Sequence, residues 1–232
     1  MSSNATTAPP KSSPQPGQQA SPSRRPSIDV KAMRERARQN IESGAVTEDY
    51  RGDRGAILEL LDQALATELL CALRYKRHYY MAYGLNGGTA ATEFLEHAKQ
   101  EEEHADSLAQ RIVQLRGEPN FNPDTLSRRS HAEYAEGKSL RDMVKEDLIA
   151  ERIAIESYRE MIRFFGDKDS TTRRMLEGIL AKEEEHADDL TYLLFAQSEG
   201  GESRPLYYKD EVPGQSNAGQ PMSEGKPGKE KH

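Results

Sequence analysis

The sequence predicts an all-α fold, a four-helix bundle of two antiparallel hairpins joined by one long crossover, and three observations carry that prediction. Four stretches space their apolar residues three and four apart, the signature of amphipathic helices. Two of the connectors between them are short, while the third, residues 117–137, is about twenty residues long and can cross from one hairpin to the other. No segment alternates apolar and polar residues like a strand between hairpin turns.

The elements follow in order. Residues 1–27, with Pro9-Pro10 and polar runs such as Lys11-Ser12-Ser13-Pro14, cannot bury enough apolar surface to offset their conformational entropy and are expected to be disordered. Residues 28–44 read as a short basic helix capped by Ser27, running through Lys31, Met33, Arg34 and Ala37 to Ile41 and ended by Gly44. The domain proper is expected over residues 45–197. Its first long helix, residues 54–83, carries Ile57, Leu61, Leu65, Ala72 and Tyr79 on one stripe and stops at Gly84-Leu85-Asn86-Gly87-Gly88. The second, residues 89–116, aligns Phe94, Ala98, Ala105, Leu108, Ile112 and Leu115 before Gly117. The third, residues 139–165, aligns Val144, Leu148, Ile155, Ile162 and Phe165 before Gly166, and the fourth, residues 170–195, aligns Leu176, Ile179, Leu190 and Leu194. Residues 198–232 again read as a disordered tail.

Composition supports these boundaries. Of 232 residues only 35% are apolar, against roughly 45–50% for globular chains, and the deficit lies at the two ends. The net charge is −7, but residues 1–44 hold seven bases against three acids, so the central domain is strongly acidic. An acidic body suits cations and excludes nucleic acid from its surface, leaving DNA contact to the basic N-terminal tail. The single cysteine, Cys71, excludes an internal disulfide, a thiolate zinc site and a rubredoxin-type iron centre, and is expected to be a small buried hydrophobe. The first thirty residues show no apolar signal-peptide core and no stretch is long enough to span a membrane, so a cytoplasmic location is expected.

The chemistry lies in a repeat. Residues 101–108 read EEEHADSL and residues 183–190 read EEEHADDL, seven of eight positions matching at an offset of 82. Glu68 is followed seven residues later by Tyr75, and Glu151 by Tyr158, at an offset of 83, so the domain reads as a duplicated helical hairpin. Positions i and i+3 share a helix face, so Glu101 with His104, and Glu183 with His186, present a carboxylate and an imidazole to one point. Both pairs fall within apolar stripes, as do Glu68 and Glu151. Four carboxylates aimed into a low-dielectric core need counter-charge, and two divalent cations supply it. Six oxygen and nitrogen donors without thiolate suit iron or manganese, with zinc able to compete. A Glu from each of two helices and a Glu-x-x-His from each of the other two is the dimetal carboxylate pattern. Tyr75 and Tyr158 are the candidate catalytic residues, read as hydrogen-bond donors to ligand carboxylates with a redox role as the alternative. Glu102, Glu103, Glu184 and Glu185 are expected to face solvent. His97, one heptad before His104, is expected to be a satisfied structural histidine, with an accessory ion as the alternative.

Over residues 47–195 these motifs, together with the turn Gly117-Glu118-Pro119-Asn120, resemble the ferritin-like superfamily, and within it the bacterioferritins and related bacterial ferritins. The resemblance implies a ferroxidase centre in which two Fe(II) ions are oxidised by oxygen or peroxide and the Fe(III) is stored in a homo-oligomeric cage. It implies Glu101 and Glu183 as bridges, with Glu68 and His104 completing one ion's shell and Glu151 and His186 the other's. Glu102 stands where bacterioferritins carry their haem-ligating methionine, which argues against haem. Nothing after Gln197 reads as a short fifth helix, so a 24-subunit shell does not follow. Two other readings stand beside storage: a dimetal oxidase or peroxidase like the rubrerythrins and manganese catalases, and a DNA-protecting assembly like the Dps proteins.

Overall fold

The computed structural model describes residues 28–83 and 88–196, and among these all regular structure is helical. The tails expected to be disordered, and residues 84–87 of the expected helix stop, lie outside the described residues. The chain forms α1 (Val30–Arg36), α2 (Arg54–Tyr83), α3 (Gly88–Gln114), α4 (Leu126–Arg129), α5 (Leu140–Phe165) and α6 (Ser170–Ala196). α2 packs chiefly on α3 and α5 on α6, so each consecutive pair is a hairpin. Side-chain pairings across the hairpins give the remaining directions. Tyr75 meets Glu151 while Tyr158 meets Glu68, so α2 and α5 run antiparallel.

Residues 28–44 differ from the expected single helix. Asp29, not Ser27, caps α1, its carboxylate accepting from the Ala32 N–H at 3.0 Å. The helix ends after seven residues because it buries none of them, and short helices without tertiary packing are marginal. Asn40 then turns left-handed at φ 46°, and Ile41–Ser43 forms a separate 3-10 turn closed by Gly44.

The ends of the long helices are fastened by side chains that satisfy their free N–H groups. Asp53 accepts from the Ala56 N–H on α2, and Ser139 from the Asp142 N–H on α5. α3 ends two residues earlier than the Gly117 stop suggested. Arg116 takes the left-handed position at φ 64°, with Gly117 N–H bonded to Ile112 O and Arg116 N–H to Val113 O, the Schellman pattern. Gly117 packs closely on α2, and a Cβ there would lie 2.5 Å from Leu58 Cδ2 and displace that side chain.

The crossover is not bare loop. It holds a 3-10 turn at Pro123–Thr125 and α4, and Arg129 ties it to α2 through Asp62 at 2.9 Å. The His131 N–H adds a bond to Thr67 Oγ1 at 2.9 Å. The buried side chains form two apolar clusters. One gathers Leu70, Phe94, Val144 and Leu190, the other Leu61, Leu108, Ile112, Phe165 and Leu176. The polar site lies between them.

Candidate metal centre

Each of the four long helices delivers one carboxylate to the middle of the bundle: Glu68 from α2, Glu101 from α3, Glu151 from α5 and Glu183 from α6. His104 and His186 follow on α3 and α6, one turn after their glutamates. All six side chains are buried, His104 being the most open at 9% exposure.

The structure brings all six sequence candidates together. His104 Nδ1 lies 2.9 Å from Glu183 Oε1, 3.3 Å from Glu68 Oε2 and 3.4 Å from Glu101 Oε2. His186 Nδ1 lies 3.3 Å from Glu101 Oε1, 3.6 Å from Glu183 Oε2 and 3.8 Å from Glu151 Oε2. The donors sort into two overlapping sets, Glu68, Glu101, His104 and Glu183 in one and Glu101, Glu151, Glu183 and His186 in the other, each with ligand atoms within 4.8 Å of one another. Glu101 and Glu183 belong to both. Glu101 Oε1, Glu183 Oε1 and His186 Nδ1 are buried without a hydrogen bond, although each has an opposite partner close by. They lie close together without hydrogen bonds between them, an arrangement that a shared cation would satisfy. Buried polar atoms left so are costly, and the oxygen and nitrogen donor set fits divalent metal.

Both tyrosines reach the centre from the opposite hairpin. Tyr75 donates to Glu151 Oε1 and Tyr158 to Glu68 Oε1, and in each case the carboxylate's other oxygen faces a histidine of the centre. Gln100, which sequence reasoning missed, accepts through its amide oxygen from His186 Nε2 and so leaves Nδ1 to the centre. Glu102, Glu103, Glu184 and Glu185 are exposed, Glu102 pairing with Lys76 and Glu184 with Arg159. Cys71 is buried.

Electrostatics follow from the crowding. Burial pushes the Glu101 carboxyl up, and the charges of Glu183, Glu68 and Glu151 carry it well above the usual range. Burial likewise raises Glu151, to about 7, with the Glu183 charge adding to it. Burial alone would depress the two imidazoles. Attraction to the surrounding carboxylates outweighs it, Glu101 first in each case, and pushes both His104 and His186 up to about 12. The carboxylates therefore gather positive charge as protons, and a cation competes for the same field.

Two features depart from expectation or escaped it. His97 is not satisfied: at 1% exposure, neither ring nitrogen has a hydrogen-bond partner. Burial, then the neighbouring His186 charge, lowers its pKa to about 3. A buried network also braces the site from α2 to α5. Arg74 Nε donates to Asp147 Oδ1 at 2.8 Å and its Nη1 to Glu133 O at 2.8 Å, while His78 Nδ1 meets Asp147 Oδ2 at 2.7 Å. Arg74 adjoins Tyr75, and Asp147 lies one turn before Glu151. A cleft lies between α2 and α5 beside the centre. This surface cleft, of about 750 Å³, shares His131, Ser157 and Met161 with a narrow gap that ends at Glu68, flanked by Ala64 and Ala154.

This bundle, with four inward carboxylates and two Glu-x-x-His pairs, defines a ferritin-type helical protein. The chain belongs to the ferritin-like domain family, whose match covers residues 58–196. It is 32% identical over 139 residues to the bacterioferritin of Mycobacterium avium, covering 58% of this chain and 80% of the relative. It is 28% identical over 144 residues to the bacterioferritin of Desulfovibrio desulfuricans, covering 61% and 75%. A nutrient stress-induced DNA-binding protein of Synechococcus is 29% identical over 147 residues, covering 61% and 82%. Among solved structures, the dodecameric thioferritin of Bacteroides fragilis, a bacterioferritin-related protein, superposes with a TM-score of 0.60 at 31% identity, covering 62% of this chain and 87% of that one. Among the described residues, no helix is long and apolar enough to cross a membrane.

Proposed function

We propose that this protein is a ferroxidase, oxidising Fe(II) to Fe(III) with O2 or H2O2 for iron storage or detoxification, as a cytoplasmic homo-oligomer. The observation that carries the reading is the pair of overlapping four-ligand sets that share Glu101 and Glu183. Iron is the substrate. Glu68, Glu101, His104 and Glu183 would hold one ion, and Glu101, Glu151, Glu183 and His186 the other. Two ions so held supply one electron each to a single oxidant.

The chain's own residues do the rest. Tyr75 and Tyr158 fix the outer oxygens of Glu151 and Glu68, so that the inner oxygens need no reorientation when iron arrives. Gln100 holds the His186 ring in one orientation, with Nδ1 toward the centre. The apolar clusters on both sides keep bulk water from the centre, and the gap beside Ala64 and Ala154 admits small species. The homo-oligomer reading draws support from the dodecameric relative and from Leu73 and Tyr80, seven residues apart on α2 and 55% and 73% exposed.

An aerobic Fe(II) titration of the metal-free protein tests this. Rapid oxidation continuing far beyond two equivalents per chain, with the iron soluble, is expected for a store; oxidation that stops near two identifies a dimetal enzyme that stores nothing. The Glu101→Ala and Glu183→Ala variants are expected to lose rapid oxidation while keeping their helical circular dichroism, and undiminished oxidation in both sinks the assignment. The similarity to the Synechococcus DNA-binding protein favours a second activity, duplex binding through residues 1–44. Such binding is expected to fall steeply with salt and to vanish on their removal.

A further inference from the structure

We propose that Glu93, His97 and Asp189 form a separate divalent-cation site at the rim of the dimetal centre. Glu93 and His97 stand one turn apart on α3, and Asp189 faces them from α6. Their ligand atoms lie within 4.8 Å of one another, and neither Glu93 nor Asp189 belongs to the inner sets, while His97 also lies within that distance of Glu151 and His186. One imidazole and two carboxylates on the open side of a helix pair suit Fe(II), Mn(II) or Zn(II), with water filling the remaining positions.

His97 is what distinguishes this group from an ordinary acidic patch. It is 1% exposed and neither nitrogen is hydrogen-bonded, an arrangement that costs free energy unless something else occupies a lone pair. Its Nε2 points at Asp189 Oδ2 from 3.6 Å, too far for a hydrogen bond. Two ligands about 2.1 Å from one cation lie roughly 3–4 Å apart, which matches that gap. The ring is held in place by stacking on His186, with centroids 4.0 Å apart, and by an edge contact with Tyr75 at 5.3 Å. The scaffold does not require an imidazole there. At the internal repeat's offset of 82, the position equivalent to His97 is Ile179, buried and apolar, while those of Glu93 and Asp189 are Met175 and Ser107. The three polar residues therefore occur at one end of the duplicated bundle. Asp189 is half exposed, so the site opens to solvent, while His97 stacks on His186 of the centre.

Binding here does not depend on the centre's oxidation chemistry, so the test uses Co(II), counted per chain by anaerobic equilibrium dialysis of the full-length metal-free protein. The Glu93→Gln/Asp189→Asn double variant, altered only at partly exposed positions, is expected to hold one Co(II) fewer than wild type, or to bind that ion at least ten-fold more weakly. His97→Ala is expected to lose the same single ion. A Glu101→Ala/Glu183→Ala variant is expected to lose the centre's ions and retain this one. An unchanged count in the Glu93/Asp189 variant overturns the proposal. So does loss of more than one ion in His97→Ala, which would place His97 in the inner centre with Glu151 and His186.

Discussion

Replacing Arg74 with Met strands a buried carboxylate. Arg74 and Asp147 are 1% and 0% exposed, and the substitution removes the 2.8 Å bond to Asp147 together with the bond to Glu133 O, leaving His78 as the carboxylate's remaining partner. Breaking one side of a buried ion pair costs about 3–5 kcal/mol. For a chain of this size that corresponds to a fall of roughly 6–20 °C in melting temperature. The loss also depends on pH. Burial already raises the Asp147 carboxyl despite the lowering effects of His78 and Arg74, so without Arg74 its folded pKa moves further above the unfolded value. The folded variant then binds a proton that the unfolded chain releases, and it loses stability as pH rises above about 4. Thermal denaturation followed by circular dichroism should show the largest deficit near neutrality and a smaller one near pH 4. The Arg74→Met/Asp147→Leu pair, which strands neither ion of the pair and leaves His78 its bond to Glu136 O, should recover much of the loss. A deficit under about 1 kcal/mol at pH 7, or a double variant as unstable as the two single variants summed, refutes the reasoning.

Metal loading should release protons, because His104 and His186 at about 12 and the raised Glu101 hold theirs at neutral pH. On the order of three protons per chain is expected from titration calorimetry in buffers of different ionisation enthalpy, and release of none would contradict the charge balance described for the centre. The same shifts set the pH dependence of the metal-free fold. The raised imidazoles contribute stability fully below their unfolded value near 6.5, and lose it as pH climbs toward 12. The metal-free melting temperature should therefore fall with alkaline pH, and bound divalent cation should oppose that fall. Gly137→Ala should destabilise by about 1–3 kcal/mol in urea denaturation, since Gly137 has φ +63° and a Cβ would lie 2.8 Å from the Met143 nitrogen; an unchanged midpoint would mean that the crossover relaxes without cost.

How far the fold could be read in advance depended on the range of the information. Helical period and glycine stops are local signals, and they located the four long helices to within two residues. The convergence of Glu68, Glu101, His104, Glu151, Glu183 and His186 was legible because the repeat at 82–83 residues turns a long-range relation into a visible one. Arg74, Asp147 and His78 left no such trace. Arg74 and Asp147 are 73 residues apart with no repeated counterpart, and each looks like a charge on an outward face until the helices are packed. Gln100 was hidden beside Glu101 among polar neighbours. Asp29 lost to Ser27 as the anticipated cap because both residue types accept from a helix N-terminus, and only the observed bond to Ala32 separates them. His97 was misjudged because burial can be inferred from a stripe, but the lack of a partner cannot.

The tyrosines cross over: the one in the first hairpin anchors a carboxylate of the second, and the one in the second anchors a carboxylate of the first. Neither hairpin can assemble its own half independently, so a lone hairpin of this design would reach the finished arrangement only by embracing another copy of itself. Joining two such copies in one polypeptide turns that encounter into an intramolecular event and removes its dependence on concentration. It also releases the halves from being identical, and one position could keep an isoleucine while its twin became a histidine.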